Sequence, residues 1–285
     1  VYQGLFKPSI EYDCTFSTNE FGFINTGEIT KSIDLLVLGD SYVEGQGGCP
    51  WLTEDTILGD DKLSKLKILN GGLMGAGILH FEQVLNYMNS NIDIENIIII
   101  AISNDFTRYD PVEWNTESEC YLTGLCNEPN DHWYYIPFET TDSEIISTSI
   151  ERNNTRDITF MNRILKVSFS YRLYSEYKTI FNNMYTSHSS SEKENNLTRY
   201  NANLDALKRI KLLFPDLKII LVPQRDEVGI IGRKNLDSLI VERYLDKNNY
   251  QFSWCTLTES DYMPVDAHPN RQGYKKLFNC LKKNT

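Results

Sequence analysis

The sequence predicts an α/β fold, a flavodoxin-like three-layer α/β/α sandwich with a mainly parallel five-stranded sheet. Three observations predict it. Apolar runs of strand length alternate with helical patterns along the chain, the arrangement that builds parallel sheets covered by helices. The strongest runs, Leu35-Leu36-Val37-Leu38 and Ile97-Ile98-Ile99-Ile100-Ala101-Ile102, are continuously apolar, as central strands buried on both faces are. Several runs stop abruptly at glycine or small polar residues, and the carboxyl edge of an open α/β sheet is where such folds keep their chemistry. With 285 residues and 41% hydrophobic content, the chain is long enough for one sizeable core carrying insertions.

Taken in order, residues 1–32 read as an N-terminal arm. Within it, Phe21-Gly22-Phe23-Ile24-Asn25 fits either a short packing segment or a contribution to binding. The first core strand, 34–38, closes in Gly39-Asp40-Ser41, a tight turn that exposes the serine hydroxyl at the strand end. A second strand, 66–70, runs into Asn70-Gly71-Gly72-Leu73-Met74-Gly75-Ala76-Gly77 and a helix beginning near Gly77. Glycine in such a turn allows positive φ and lets backbone N–H groups approach a ligand, although the same composition also makes a plain strand-to-helix turn. The third strand, 96–103, ends in Asn104-Asp105, where the amide is placed to donate to a developing negative charge, or simply to shape the turn.

The long stretch 106–156 follows, rich in acidic residues, Asn and aromatics, including Tyr109, Trp114, Tyr121, Trp133, Tyr134 and Tyr135. Insertions of this length are commonly functional, and aromatic faces among carboxylates and amides suit sugars, though they equally make a small core of their own. Helices are expected near Asp157 and Asn201, with Ser187 to Asn196 as a polar, mobile linker. Strand 217–222 leads into Val222-Pro223-Gln224-Arg225-Asp226 at the same sheet edge, a helix begins near Arg233, and strand 251–255 completes the sheet. In the final segment, Asp266-Ala267-His268-Pro269-Asn270, a histidine beside a carboxylate supplies a general base with an orienting partner, and Pro269 suits the first turn of the last helix. The other histidines read differently: His80 as a packing residue, His132 as a pocket residue and His188 as a solvated one.

The order and spacing of these four blocks resemble the SGNH hydrolases, also called the GDSL esterase/lipase family, and in particular members that act on bacterial surface polysaccharides. The resemblance spans about residues 33 to 283. It implies the flavodoxin-like fold, with Ser41 as nucleophile, His268 as base and Asp266 as acid. It also implies an oxyanion hole made by the backbone N–H groups of Ser41 and Gly75 and the side-chain amide of Asn104. Tyr42 stands where the family name has leucine, Ile102 where the third block often has glycine, and one residue instead of two separates acid from base. That last departure leaves Asp261, or a backbone carbonyl, as the alternative orienting group. Substrate contacts are expected from Asp40, Asp105, Gln224 and Arg225, with no cofactor and no metal.

A net charge of −11 without clustered Lys and Arg argues against nucleic acid, so acylated carbohydrate or another small ester is the expected partner. No apolar stretch approaches the roughly 20 residues that span a bilayer. The chain begins at Val1, consistent with a removed signal or anchor and with a periplasmic or extracellular home; a cytoplasmic one stays open. Six cysteines lack zinc-like spacing. Cys120 and Cys126 bracket a loop that a disulfide would close in an oxidising compartment, the alternative being six thiols. Asn153 and Asn196 start formal glycosylation sequons. The expected activity is removal or transfer of O-acetyl groups on a carbohydrate; a lipase or thioesterase, or a non-catalytic glycan-binding protein, is the alternative.

Overall fold

The computed structural model describes residues 3–6, 14–19, 21–29, 31–108, 114–115, 120–121, 125–127, 133–135, 190–228, 236–264 and 267–285. The chain divides into two compact units, one of residues 1–111 with 196–285 and one of residues 112–195.

The first unit opens with an antiparallel pair, β1 (Gln3–Phe6) and β2 (Cys14–Ser17). The Asn19 carboxamide oxygen accepts the N–H groups of Phe21 and Phe23, which folds the aromatic-glycine segment into a tight turn and buries Ile24. That segment therefore packs. A Cys14–Cys49 disulfide ties the arm to the core.

The core then alternates as its apolar pattern requires: β3 (Ser32–Gly39), α1 (Ser41–Glu44), α2 (Glu54–Leu58), β4 (Ile68–Gly72), α3 (Ile78–Asn89) and β5 (Asp93–Ala101). In the second unit, β6 (Trp114–Asn115), β7 (Cys120–Tyr121), β8 (Leu125–Asn127) and β9 (Trp133–Tyr135) form an antiparallel meander. The core resumes with α4 (Ser190–Leu213), β10 (Lys218–Leu221), α5 (Arg225–Val228), α6 (Leu236–Lys247), β11 (Gln251–Trp254) and α7 (Arg271–Asn284).

The five core strands are parallel and lie in the order β11-β10-β5-β3-β4. Numbered by their own succession this is 2-1-3-4-5, the flavodoxin-like order, and all five predicted strands are present. The two central strands carry the continuous apolar runs: Leu36, Val37, Leu38, Ile99 and Ile100 are 0% exposed. Each such side chain contributes about 1.5–3 kcal/mol on burial, which fixes these strands at the middle of the sheet. At the end of β3, a Cβ on Gly39 would lie 2.2 Å from Val43 Cγ2 and 2.7 Å from the Ile100 carbonyl oxygen. The absence of a side chain there lets α1 turn back tightly over the strand.

Three expectations need correction. The segment expected as a mobile polar linker is helical from Ser190 onward. Its run of Ser, Glu and Lys is helix-start composition, with strong helix formers and acidic residues near the amino end. The last helix starts at Arg271, because Asn270 caps it by accepting the N–H groups of Gln272 and Gly273, so Pro269 stands just outside. The expected helix near Arg233 begins at Leu236. Helix α7 buries Tyr274, Leu277 and Leu281 on one face, and a Cys255–Cys280 disulfide pins it to the segment after β11. Cys120 and Cys126 face each other in register across β7 and β8, but their side chains, like the helix expected near Asp157, His132, His188 and Asn153, lie outside the described residues.

Candidate active site

In this strand order, the two connections leaving the carboxyl ends of β3 and β5 diverge to opposite sides, opening a crevice between them. The blocks that carry Ser41 and Asn104 are the continuations of those two strands. The topology thus places the first and third predicted blocks at the switch point of the sheet.

Ser41 is the first residue of α1 and is 3% exposed. Asp40 caps that helix, its Oδ1 accepting the N–H of Tyr42 at 2.9 Å. Ser41 Oγ lies 2.9 Å from His268 Nε2, so the residues separated by 227 positions meet in hydrogen-bond contact. The histidine loop is held from several sides. Met263 N–H donates to the His268 carbonyl, Asn270 N–H to the Asp261 carbonyl, and Tyr274 Oη to the Gln46 carbonyl. Tyr262 Oη donates to the Pro223 carbonyl, joining the loop to the end of β10. Ala267, next to the histidine, holds φ at 68°, a left-handed conformation that costs a non-glycine residue roughly 1–3 kcal/mol and that recurs at functional sites.

Asp266, the predicted acid, lies outside the described residues. The alternative, Asp261, is committed elsewhere. Its Oδ2 accepts the N–H and hydroxyl of Thr258 and the Lys276 ammonium, while Oδ1 is buried without a hydrogen-bond partner among the described residues. Asp261 therefore anchors its own loop and does not hydrogen-bond His268.

On the opposite wall, the turn after β4 is tied to the nucleophile strand by Leu73 N–H donating to the Gly39 carbonyl at 2.9 Å. Gly75 adopts φ +78°, and a Cβ built on it would have nothing within 4 Å. Glycine is required there by the backbone, with open space above it. Asn70, 0% exposed, supports this wall: its oxygen accepts the Gly72 N–H and its amide donates to the Val43 and Leu52 carbonyls.

Gln224, expected at the substrate, donates its amide to Ser103 Oγ at 2.7 Å and to Asn104 Oδ1 at 3.1 Å. With its oxygen held by Gln224, the Asn104 carboxamide keeps its N–H₂ as the outward donor. Arg225 donates to the Pro264 carbonyl at 2.7 Å, bracing the stretch that leads to residue 266.

Two further expectations are overturned. Asp40 and Asp105 are both 0% exposed and offer a substrate no surface. They share Arg108, whose Nη1 lies 2.8 Å from Asp40 Oδ2 and 3.4 Å from Asp105 Oδ1. Burial holds the Asp105 carboxyl well above the usual range, the Asp40 charge adds to this, and Arg108 opposes it. Asp105 Oδ2 also accepts the Ile102 N–H, so the pair shapes the strand-end turns beneath the site. Arg108 was not singled out from the sequence; its only signal is a cation four residues beyond Asn104. His80 packs as expected, accepting the Gly77 N–H, and burial, with Arg108 assisting, lowers its pKa to about 4. Among the described residues no cluster of His, Cys, Asp and Glu could hold a metal ion.

No protein-family model and no curated protein matches the chain. Among solved structures, it is similar to an acetyl xylan esterase from Butyrivibrio proteoclasticus, with 14% identity, TM-score 0.39, and 92% of this chain and 66% of that one covered. It is also similar to a GDSL-like lipase from Bacteroides thetaiotaomicron, with 13% identity, TM-score 0.34, and coverage of 89% and 86%.

Proposed function

We propose that this protein is a serine-dependent ester hydrolase or O-acyltransferase of the SGNH kind, acting on O-acetyl groups of a carbohydrate. The observation that carries the reading is the 2.9 Å contact between Ser41 Oγ and His268 Nε2 at the switch point of the sheet. In the reaction, the Ser41 oxygen bonds to the ester carbonyl carbon while its proton passes to His268 Nε2. The oxyanion is held by the N–H groups of Ser41 and Gly75 and by the Asn104 amide. The carbon–oxygen bond to the alcohol then breaks, and His268 returns its proton to the departing oxygen. Water, or a second hydroxyl, attacks the acyl-serine with the same histidine as base. Asp266 is the proposed orienting acid.

The carbohydrate half of the reading rests on the aromatic-rich composition of residues 106–156 and on the resemblance. The two disulfides among the described residues fit an oxidising compartment. No described helix is long and apolar enough to cross a membrane.

The test is hydrolysis of p-nitrophenyl acetate by wild type and Ser41→Ala, repeated with sugar hydroxyls as acceptors. Serine-dependent release of acetate is the expected result, and acetylated sugar formed at the expense of acetate identifies a transferase. Turnover that survives in Ser41→Ala refutes the nucleophile, and preference for long-chain esters refutes the acetyl assignment.

A further inference from the structure

Glu44 ends the helix that Ser41 begins, so the two side chains lie one turn apart on neighbouring positions of one face. Its Oε2 is buried and has no hydrogen-bond partner among the described residues. A carboxylate oxygen in that state is costly unless it meets a cation or a proton. A Cβ built on Gly47, three residues further on, would lie 2.7 Å from His268 Cβ, so the loop that leaves Glu44 passes beside the histidine that Ser41 Oγ contacts.

We propose that Glu44 is a positioning residue that acts through His268: a second carboxylate whose charge stabilises the imidazolium formed when Ser41 gives up its proton. The inference rests on the reading of Ser41 and His268 as nucleophile and base. Glu44 takes no proton in the reaction. The proton moves from Ser41 Oγ to His268 Nε2 and on to the leaving alcohol, while Glu44 changes only the energy of the charged intermediate state.

The electrostatics agree with the geometry. Burial raises the Glu44 carboxyl to about 7, Asp40 pushes it further up, and His268 pulls it down. Asp40 sits at the other end of the same helix and is itself bound to Arg108. The turn that packs Gly72 against the Glu44 backbone nitrogen, residues 70–77, carries no titratable side chain. Among the described residues, the charged groups bearing on Glu44 are thus Asp40 and His268. Its folded pKa is raised, so the carboxyl is neutral in acid and gains its charge as the pH rises through about 7. Only the charged form supports the imidazolium.

The test compares kcat/KM for p-nitrophenyl acetate between pH 5 and 9 in wild type, Glu44→Gln and Glu44→Asp. The wild-type to Glu44→Gln ratio is expected near one in acid, rising to about tenfold above pH 8, the scale of one partly screened charge. Partial recovery is expected in Glu44→Asp. A ratio that does not change with pH, whether at one or below, assigns Glu44 to packing alone and overturns the proposal. A readout without turnover is the ¹³C titration of the Glu44 carboxyl, which shifts upward in His268→Gln because the coupling is reciprocal. Equal midpoints in the two proteins overturn the proposal. Loss of serine dependence in the Ser41→Ala assay is a separate failure, that of the underlying reading.

Discussion

Replacing Arg108 with methionine removes the single cation shared by two carboxylates that are 0% exposed, at 2.8 Å and 3.4 Å. Methionine keeps the length of the stem and deletes the charge. Breaking a buried ion pair by removing one partner costs about 3–5 kcal/mol, because the remaining charge is left uncompensated. Asp105 already sits well above the usual carboxyl range through burial, and it relieves part of the penalty by taking a proton. The lower end, about 3 kcal/mol, is therefore expected. For a domain of this size that corresponds to a fall in melting temperature of about 6 °C. The assay is urea unfolding of wild type, Arg108→Met and Arg108→Met with Asp105→Asn, at pH 8 and pH 5. The Arg108→Met deficit should shrink at pH 5, where protonation removes charge that the arginine had balanced. The double variant should recover part of it at both pH values, as contacting residues couple. A loss under about 1 kcal/mol, or a deficit independent of pH and unchanged by Asp105→Asn, refutes the account of Arg108 as the neutralising partner.

Other outcomes follow from the same geometry. Asn104→Ala should fold normally and lose on the order of 10² to 10³ in acetate-ester turnover, as removal of one oxyanion donor does; unchanged turnover removes Asn104 from the mechanism. His80 titrates near 4 when folded, below its ordinary 6.5, so its contribution to stability is full above 6.5 and is lost as the pH falls toward 4. Wild type should thus lose about 2 kcal/mol more than His80→Gln between pH 7 and pH 4.5, measured by chemical denaturation. Parallel stability curves for the two proteins would show that the imidazole is not held neutral.

The sequence by itself determined the sheet. Continuous aliphatic runs such as Leu35–Leu38 specify strands buried on both faces wherever they occur, and the polar residues that stop them mark the carboxyl edge. The placement of Ser41, Gly75, Asn104 and His268 at strand ends or before a helix was legible for the same reason, because the local pattern of each flanking element is strong. The tertiary structure decided which side chains meet and which are hidden. Asp40 and Asp105 read as substrate contacts until burial paired them with Arg108, and only the fold sets the Gln224 amide against the Asn104 oxygen. Ser190 to Asn196 read as linker because polarity alone does not separate a polar helix from a loop. The partners in these pairs are brought together by strand order and chain crossing: Gln224 is 120 positions from Asn104, and Arg108 is 68 from Asp40. Local composition specifies an element, whereas the charge, burial and partner of a side chain depend on residues that only the folded sheet places beside it.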